Sequence, residues 1–334
     1  MKQLIPKNET STSFNIYFLM SFRHNFAPAK ITKTNNIGLT TFMIMNLQIA
    51  DWDIQINMTL PSLIAYKYAP FYNKRQKTDA ENFLFTLSQG EITLPQSTNA
   101  PIHKCANGTE WEFYPKHDGI VVKLYMQMSG RTYWIKADME WKKIVTDWEM
   151  KYKEDAWALD NIIMLSFIAS SSLKNTVLIH SSCIKTLQGD GVAFIGHSNA
   201  GKSTHSQLWL QYVPKCTLLN DDQPAIRISE DNTPYIYGTP WSGKGACYKQ
   251  DKVKLTAIFL MIKAPVNKLI TLNSIKSYTT VLSSVSVIKE IENIMKGILN
   301  TTAVITQKVN VYNLENGAGK EAVALSAKEL GITI

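Results

Sequence analysis

Gly196, His197, Ser198, Asn199, Ala200, Gly201, Lys202, Ser203 and Thr204 follow one another in the order Gly, four residues, Gly, Lys, Ser, Thr. That order suits phosphate chemistry. Two glycines let the backbone fold into a concave nest whose N–H groups converge on phosphate oxygens, and the N-terminus of a following helix adds its positive end. Lys202 is then spaced to reach the β and γ phosphates of a nucleotide, and the Ser203 hydroxyl to ligate Mg²⁺. A glycine-rich turn that matched by accident would need no particular flanks. Here Gly191 to Ile195 is an apolar run of strand type, and Thr204 to Tyr212 carries Leu208, Trp209 and Tyr212 on neighbouring helical turns. These flanks favour nucleotide binding.

Asp221 and Asp222 end the next apolar run, the setting in which a phosphate-loop protein keeps its metal-binding carboxylate. One carboxylate suffices for Mg²⁺. A second beside it could act as general base for transfer to a hydroxyl, or as acid in the reverse direction. Taken alone, Asn220 to Asp222 reads as a capping turn; the loop upstream tips it toward metal and base. His180 reads equally as a satisfied strand histidine and as an active-site one. Lys244, Lys249, Lys252 and Lys254, opposed only by Asp251, form the densest basic patch and suit either a solvated loop or an anionic ligand.

The elements that must position these groups divide the chain into three. Residues 1–38 are polar and irregular, an expected leader. Residues 39–150 read as a mostly β domain: strands on either side of a turn at Ala50 and Asp51, a strand over Glu81 to Leu87, a loop over Pro95 to Gly108, then Thr109 to Tyr114, Gly119 to Met128 and Thr132 to Ala137. Residues 151–334 carry the loop. Asp155 to Ser172 has helical spacing, Thr176 to Lys185 reads as one strand, and Gly189 to Gly191 turns it into the strand of the phosphate loop. An antiparallel partner immediately upstream is unlike ordinary phosphate-loop proteins. Beyond lie a hairpin (Ala225 to Ser229 with Tyr235 to Tyr237), the turn-rich stretch Gly238 to Lys244, a strand over Leu255 to Lys263, a helix over Ser284 to Leu299, a strand over Ala303 to Tyr312 and a closing helix over Glu321 to Leu330.

Composition narrows the class. With 334 residues, 45% hydrophobic and 19% charged, the chain can bury a large core and is neither disordered nor fibrous. No apolar stretch is long enough for a bilayer and no secretory signal stands at the start, so a cytoplasmic protein without a membrane partner is expected. Cys105, Cys183, Cys216 and Cys247 lie far apart, which speaks for reduced thiols. The net charge of +8 is spread along the chain rather than gathered on a basic helix with aromatics, so no nucleic-acid partner is expected. Trp111, Trp134, Trp141 and Trp148 read as core filling.

Taken together, the hairpin carrying His180, then GHSNAGKST, then LLNDDQPAI, resembles the kinase domain of HPr kinase/phosphorylase and, more remotely, the ATP-dependent phosphoenolpyruvate carboxykinases. The likeness covers roughly residues 155 to 260, and YGTPWSGK is similar to the HPr-kinase-like branch. It implies an α/β fold with a P-loop kinase domain of the HPr kinase and carboxykinase type behind the mostly β N-terminal domain. It further implies that His180, Lys202, Ser203, Asp221 and Asp222 match the family's site residues, Asp221 acting on the acceptor hydroxyl and Asp222 helping to hold metal. Thr204 stands where bacterial HPr kinases usually carry Glu, and YGTPWSGK replaces the arginine-bearing segment used in phosphorolysis, so kinase chemistry is better supported than the reverse reaction. The short chain and the missing Arg and Lys set speak against a carboxykinase. The expectation is an ATP- and Mg²⁺-dependent kinase acting on a serine or other hydroxyl of a protein, peptide or small molecule. The alternative is a nucleotide-binding sensor or scaffold without turnover. Self-association of the chain is left open.

Overall fold

A computed structural model describes residues 44–73, 83–96, 102–106 (backbone alone), 108–243, 245–317 and 319–334. The expected leader and Lys244 lie outside the described residues. The chain is α/β with two mixed sheets. No helix among the described residues is long and apolar enough to cross a membrane.

The first sheet has eight strands: β1 (Ile44–Ile49), β2 (Trp52–Asn57), β3 (Thr86–Gln89), β4 (Ile102–Ala106), β5 (Thr109–Lys116), β6 (Gly119–Met126), β7 (Arg131–Asp138) and β8 (Lys143–Thr146), in the order β1-β2-β3-β8-β7-β6-β5-β4. Ala50 and Asp51 turn β1 into β2 with φ of 52° and 59°, the pair of left-handed residues that a two-residue hairpin of this hand demands. The stretch expected as a loop over Pro95 to Gly108 holds β4, which finds an edge to pair with along β5. Helix α1 (Ser62–Tyr68) and a 3-10 turn (Ala69–Phe71) follow β2. Trp111, Phe113, Val122, Leu124, Tyr133 and Ile135 point alternately inward, as the pleat requires. Trp111, Trp141 and Trp148 are core, whereas Trp134 is half-buried beside Tyr114 on the outer side.

That inward face meets α2 (Asp155–Ser172), in which every residue but Trp157 is buried. A helix apolar all round belongs inside a core, and α2 lies between the two sheets in one continuous cluster with residues of both. Most of its polar groups are accordingly partnered, Asn161 Oδ1 being an exception. Lys67 Nζ of α1 lies 2.5 Å from Asp160 and the Tyr68 hydroxyl donates to the same carboxylate at 2.7 Å, with Lys67 3% and Asp160 0% exposed. Arg131 and Tyr133 of β7 bind Asp155.

The second sheet contains β9 (Thr176–Leu178), β10 (Ser181–Lys185), β11 (Asp190–Ile195), β12 (Thr217–Asp222), β13 (Ala225–Ile228), β14 (Pro234–Tyr237) and β15 (Lys252–Lys263), in the order β12-β10-β11-β15-β14-β13-β9. Strand β15 has twelve residues, enough to pair with β14 at its start and in parallel with β17 (Asn310–Asn316) at its end; β16 (Lys268–Thr271) lies outside β17. Helices α3 (Lys202–Tyr212) and α6 (Lys320–Lys328) cover one face, α2 and α5 (Glu292–Lys308) the other, and α4 (Ser274–Leu282) packs on α5.

Three further expectations fail here for physical reasons. The strand expected over Glu81 to Leu87 begins only at Thr86, where β3 finds β2 and β8 to pair with; residues 81 and 82 lie outside the described residues. The single strand over Thr176 to Lys185 is broken at His180, because β9 pairs with β13 while β10 pairs with β11 and β12, and the His180 N–H donates instead to Ser284 O at 2.7 Å. The helix expected over Ser284 to Leu299 runs instead over Glu292–Lys308. Its β-branched run Thr301 to Thr306 mimics a strand, yet the hydroxyls of Thr301, Thr302 and Thr306 donate back to carbonyls one turn earlier while Ile294, Ile298 and Ile305 bury at helical spacing.

Replacing Asp160 with Ala removes the acceptor that Lys67 and Tyr68 share in the core. Breaking such a pair costs about 3 to 5 kcal/mol, so urea denaturation should show a loss of that order. The charge-free double variant Lys67→Met with Asp160→Leu should recover part of it, the Tyr68 hydroxyl still lacking the acceptor it has in wild type.

Candidate functional site

Strand β11 delivers the chain into the glycine loop, whose backbone turns on Gly196 (φ 140°), Asn199 (φ 67°) and Gly201 (φ 100°). A Cβ on Gly196 would come within 3.0 Å of Met261 O and 3.2 Å of the Ala200 methyl, so the loop can lie this close to β15 only with glycine there. His197, Ser198 and Asn199 form an exposed rim, and Ser203 and Thr204 are exposed on the first turn of α3. The N–H groups of such a first turn have no partner within the helix and face an anion favourably. Lys202 Nζ reaches back across the loop to Gly196 O at 2.9 Å and His197 O at 3.3 Å. Burial lowers the pKa of this ammonium from the usual lysine value, and the carboxylates of Asp222 and Asp221 oppose that shift.

Adjacent residues of a strand face opposite sides, and an irregularity in β12 decides which aspartate takes which. Leu218 pairs with Ile184 but Asn220 pairs with Cys183, so Leu219 is the extra residue of a bulge. The bulge resets the alternation: Asp221 falls opposite Ser182 on the α3 face, and Asp222 opposite Ser181 on the α2 face. On the α3 face Ser203 Oγ donates to Asp221 Oδ1 at 2.9 Å, and Ser206 Oγ to Ser182 Oγ at 2.6 Å. On the other face His180 Nδ1 lies 2.9 Å from Asp222 Oδ1, an ion-pair distance without the alignment of a hydrogen bond. The break between β9 and β10 frees His180 for that position.

Burial raises the pKa of Asp221 above the usual aspartate value; the hydroxyls of Ser182 and Ser203 pull it back, and the neighbouring Asp222 adds to the rise. Among the described residues no group of three His, Cys, Asp or Glu could hold a metal by itself. Ser203 with one or two carboxylates offers the oxygen donors that a hard cation such as Mg²⁺ would take.

A further support is the stretch Gly238 to Gly243, legible in sequence only as a turn-rich loop. It braces the end of β12. Asn220 Nδ2 donates to Thr239 at 3.2 Å, the Gln223 N–H to Trp241 O at 3.1 Å, the Asp221 N–H to Ser242 Oγ at 3.2 Å, and the Gly243 N–H to Asp221 O at 2.9 Å. A Cβ on Gly243 would stand 2.7 Å from Asp221 O. The indole of Trp241 packs on Phe167 of α2 with ring centres 5.3 Å apart, which ties the brace to the central helix. The glycines on either side of Trp241 were the signal available in the sequence.

Of the lysine patch, the described residues Lys249, Lys252 and Lys254 do not gather at the loop. Lys252 binds Asp51 at 2.5 Å, Lys185 takes Asp251 at 2.8 Å, and Lys249 donates to Leu218 O at 2.6 Å. In register Lys254 stands beside Asp190, at the start of β11 and not at its loop end. His205, inside the loop helix, is a core residue: burial pushes its imidazole down to about 4, it sits edge-on to Phe194 and its Nε2 meets Ser326 Oγ at 3.2 Å.

Comparison with protein-family models and with curated proteins finds no match to this chain.

The raised pKa of Asp221 has a consequence for stability. The folded protein holds this proton more tightly than the unfolded chain, so stability falls as pH rises from 3.8 to the raised value and the cost is complete above it. Asp221→Asn should therefore melt higher than wild type at pH 7, with the gain vanishing below pH 3.8. A lower melting temperature for the variant at pH 7 would mean that the hydrogen bond from Ser203 outweighs the burial of charge.

Proposed function

We propose that the chain is an ATP-dependent, Mg²⁺-requiring kinase of the HPr-kinase-like P-loop type that transfers a phosphoryl group to a hydroxyl of a protein, peptide or small molecule. The observation that carries this reading is the contact of Ser203 with Asp221, which joins the first turn of the loop helix to the acidic end of β12 while Asp222 faces His180 two residues away in register.

In this reading the loop amides and Lys202 bind the β and γ phosphates. Ser203 and Asp221 would hold Mg²⁺, which would supply positive charge to the transferring phosphates. The acceptor hydroxyl attacks the γ phosphorus, the bond from that phosphorus to the β,γ-bridging oxygen breaks, and ADP leaves with the electron pair. The acceptor proton passes to the His180–Asp222 pair, in which the carboxylate at ion-pair distance stabilises the charged imidazole. These contacts favour the reverse of the order that the family resemblance implies for the two aspartates. The acid-base pair lies on one face of β12 and the metal-side carboxylate on the other, as the bulge dictates.

Transfer of label from γ-labelled ATP to fractionated proteins and metabolites tests the activity. Asp222→Asn should cut transfer by about 10² to 10⁴ and leave ATP affinity near wild type, whereas Asp221→Asn should weaken Mg²⁺-dependent ATP binding as well as rate. Exchanged phenotypes would restore the order of the resemblance. Binding without transfer to any acceptor would favour the sensor.

Lys202→Ala should weaken Mg²⁺-ATP binding measured by calorimetry, and ATP should raise the melting temperature of wild type, since ligand held by the folded state stabilises it. Unchanged affinity in that variant, with no protection of wild type, would overturn the phosphate-loop assignment.

A further inference from the structure

The phosphate loop is flanked unequally. On one side of β11 lie β10 and β12 with His180, Asp221 and Asp222; on the other lie β15 and β17. A triphosphate is an extended chain, and a loop that grips its middle sends the two ends to opposite sides. With the reacting γ end toward β12, the nucleoside end runs over the carboxyl ends of β15 and β17, the location where α/β sheets receive ligands. Neighbouring strands are about 5 Å apart, so β17 lies about 10 Å from β11, within the reach of a nucleotide.

Two turns meet there. Lys263 to Asn267 leaves β15, and Asn316 to Gly317 leaves β17. They are stitched by the Ala264 N–H donating to Asn316 O at 3.1 Å and by the Gly317 N–H donating to Asn267 Oδ1 at 2.9 Å. A Cβ on Gly317 would come within 3.3 Å of Ala264 O, so glycine keeps the two turns in contact. The seam presents Val266, 69% exposed, an apolar surface of the kind a base packs on. Beside it stands Asn267, whose oxygen is committed to Gly317 while its amide NH₂ is the donor it can offer a ring nitrogen, a ribose hydroxyl or a base carbonyl.

We propose that Val266 and Asn267, on the turn between β15 and β16, form the nucleoside subsite, with Val266 against the face of the base and Asn267 as hydrogen-bond donor. This inference rests on the phosphate-loop reading of Gly196 to Thr204. It assigns nucleotide selectivity to a turn outside the loop and outside the acidic strand end.

Calorimetry with Mg²⁺-ATP and with Mg²⁺-tripolyphosphate, which has no nucleoside, separates the two. Val266→Asp and Asn267→Ala should each weaken ATP binding about tenfold, the worth of one good contact, and leave tripolyphosphate affinity unchanged. Lys202→Ala should weaken both ligands. Both positions are on a surface turn, so melting temperatures near wild type are expected and serve as the folding control. If the two turn variants bind ATP like wild type while Lys202→Ala does not, the nucleoside lies elsewhere and the subsite is wrong. Equal losses for ATP and tripolyphosphate in the turn variants would mean that the turn acts on the phosphates, which also overturns it. If wild type binds neither ligand, the phosphate-loop reading fails, and the subsite with it.

Discussion

A helix with water on no side constrains this whole protein. Because α2 is surrounded by two sheets and by α5, its carboxylates and hydroxyls take their partners inside the fold. The carboxylate of Asp160 takes Lys67 and Tyr68 from α1, that of Asp155 takes Arg131 and Tyr133 from β7, and Ser170 donates to Trp141 O beyond the first sheet. Each partner comes from the N-terminal part of the chain. The eight-stranded sheet is thus the other half of the core that holds the loop-bearing sheet in place, and the two share one hydrophobic cluster. The same helix reaches the candidate site through Phe167 and Trp241, since the loop containing Trp241 braces the backbone of Asp221 and Gln223.

The elements that were legible are those whose local pattern and tertiary role agree. The strand, glycine loop and helix from Asp190 to Tyr212, the turn at Ala50 and Asp51, and the hairpin of Ala225 to Ile228 with Pro234 to Tyr237 all stand as their residues suggest. Periodicity failed where the surroundings decide. The threonine and isoleucine run of α5 has the composition of a strand and becomes helix because its apolar residues pack at helical spacing within the shared core. Strand β4 has no marked alternation and exists because β5 offers it an open edge. The division of Thr176 to Lys185 at His180 follows from sheet topology, which no local window contains.

For the site, residue identity was readable and residue partnership was not. The sequence singles out Lys202, Ser203, Asp221, Asp222 and His180, and the fold brings all five to one end of β10, β11 and β12. Which aspartate meets the serine and which meets the histidine depends on a bulge, and a bulge is a property of two strands in register. The lysines after residue 244 show the converse: clustered in sequence, they disperse in space, Lys252 onto Asp51, Lys249 onto a backbone carbonyl and Lys254 beside Asp190.

The bulge at Leu219 also decides how β12 answers a change in its length. Along a regular strand, losing one residue flips everything beyond it to the opposite face. Excision of Leu219 removes the residue that has no partner, so β12 becomes regular while Asn220, Asp221 and Asp222 keep Cys183, Ser182 and Ser181 opposite them and both acids keep their faces. The order of the two acids is therefore written in the register: pairing Leu219 with Cys183, as a strand without the bulge would, moves Asp221 opposite Ser181 and exchanges the duties of the acids with no residue lost.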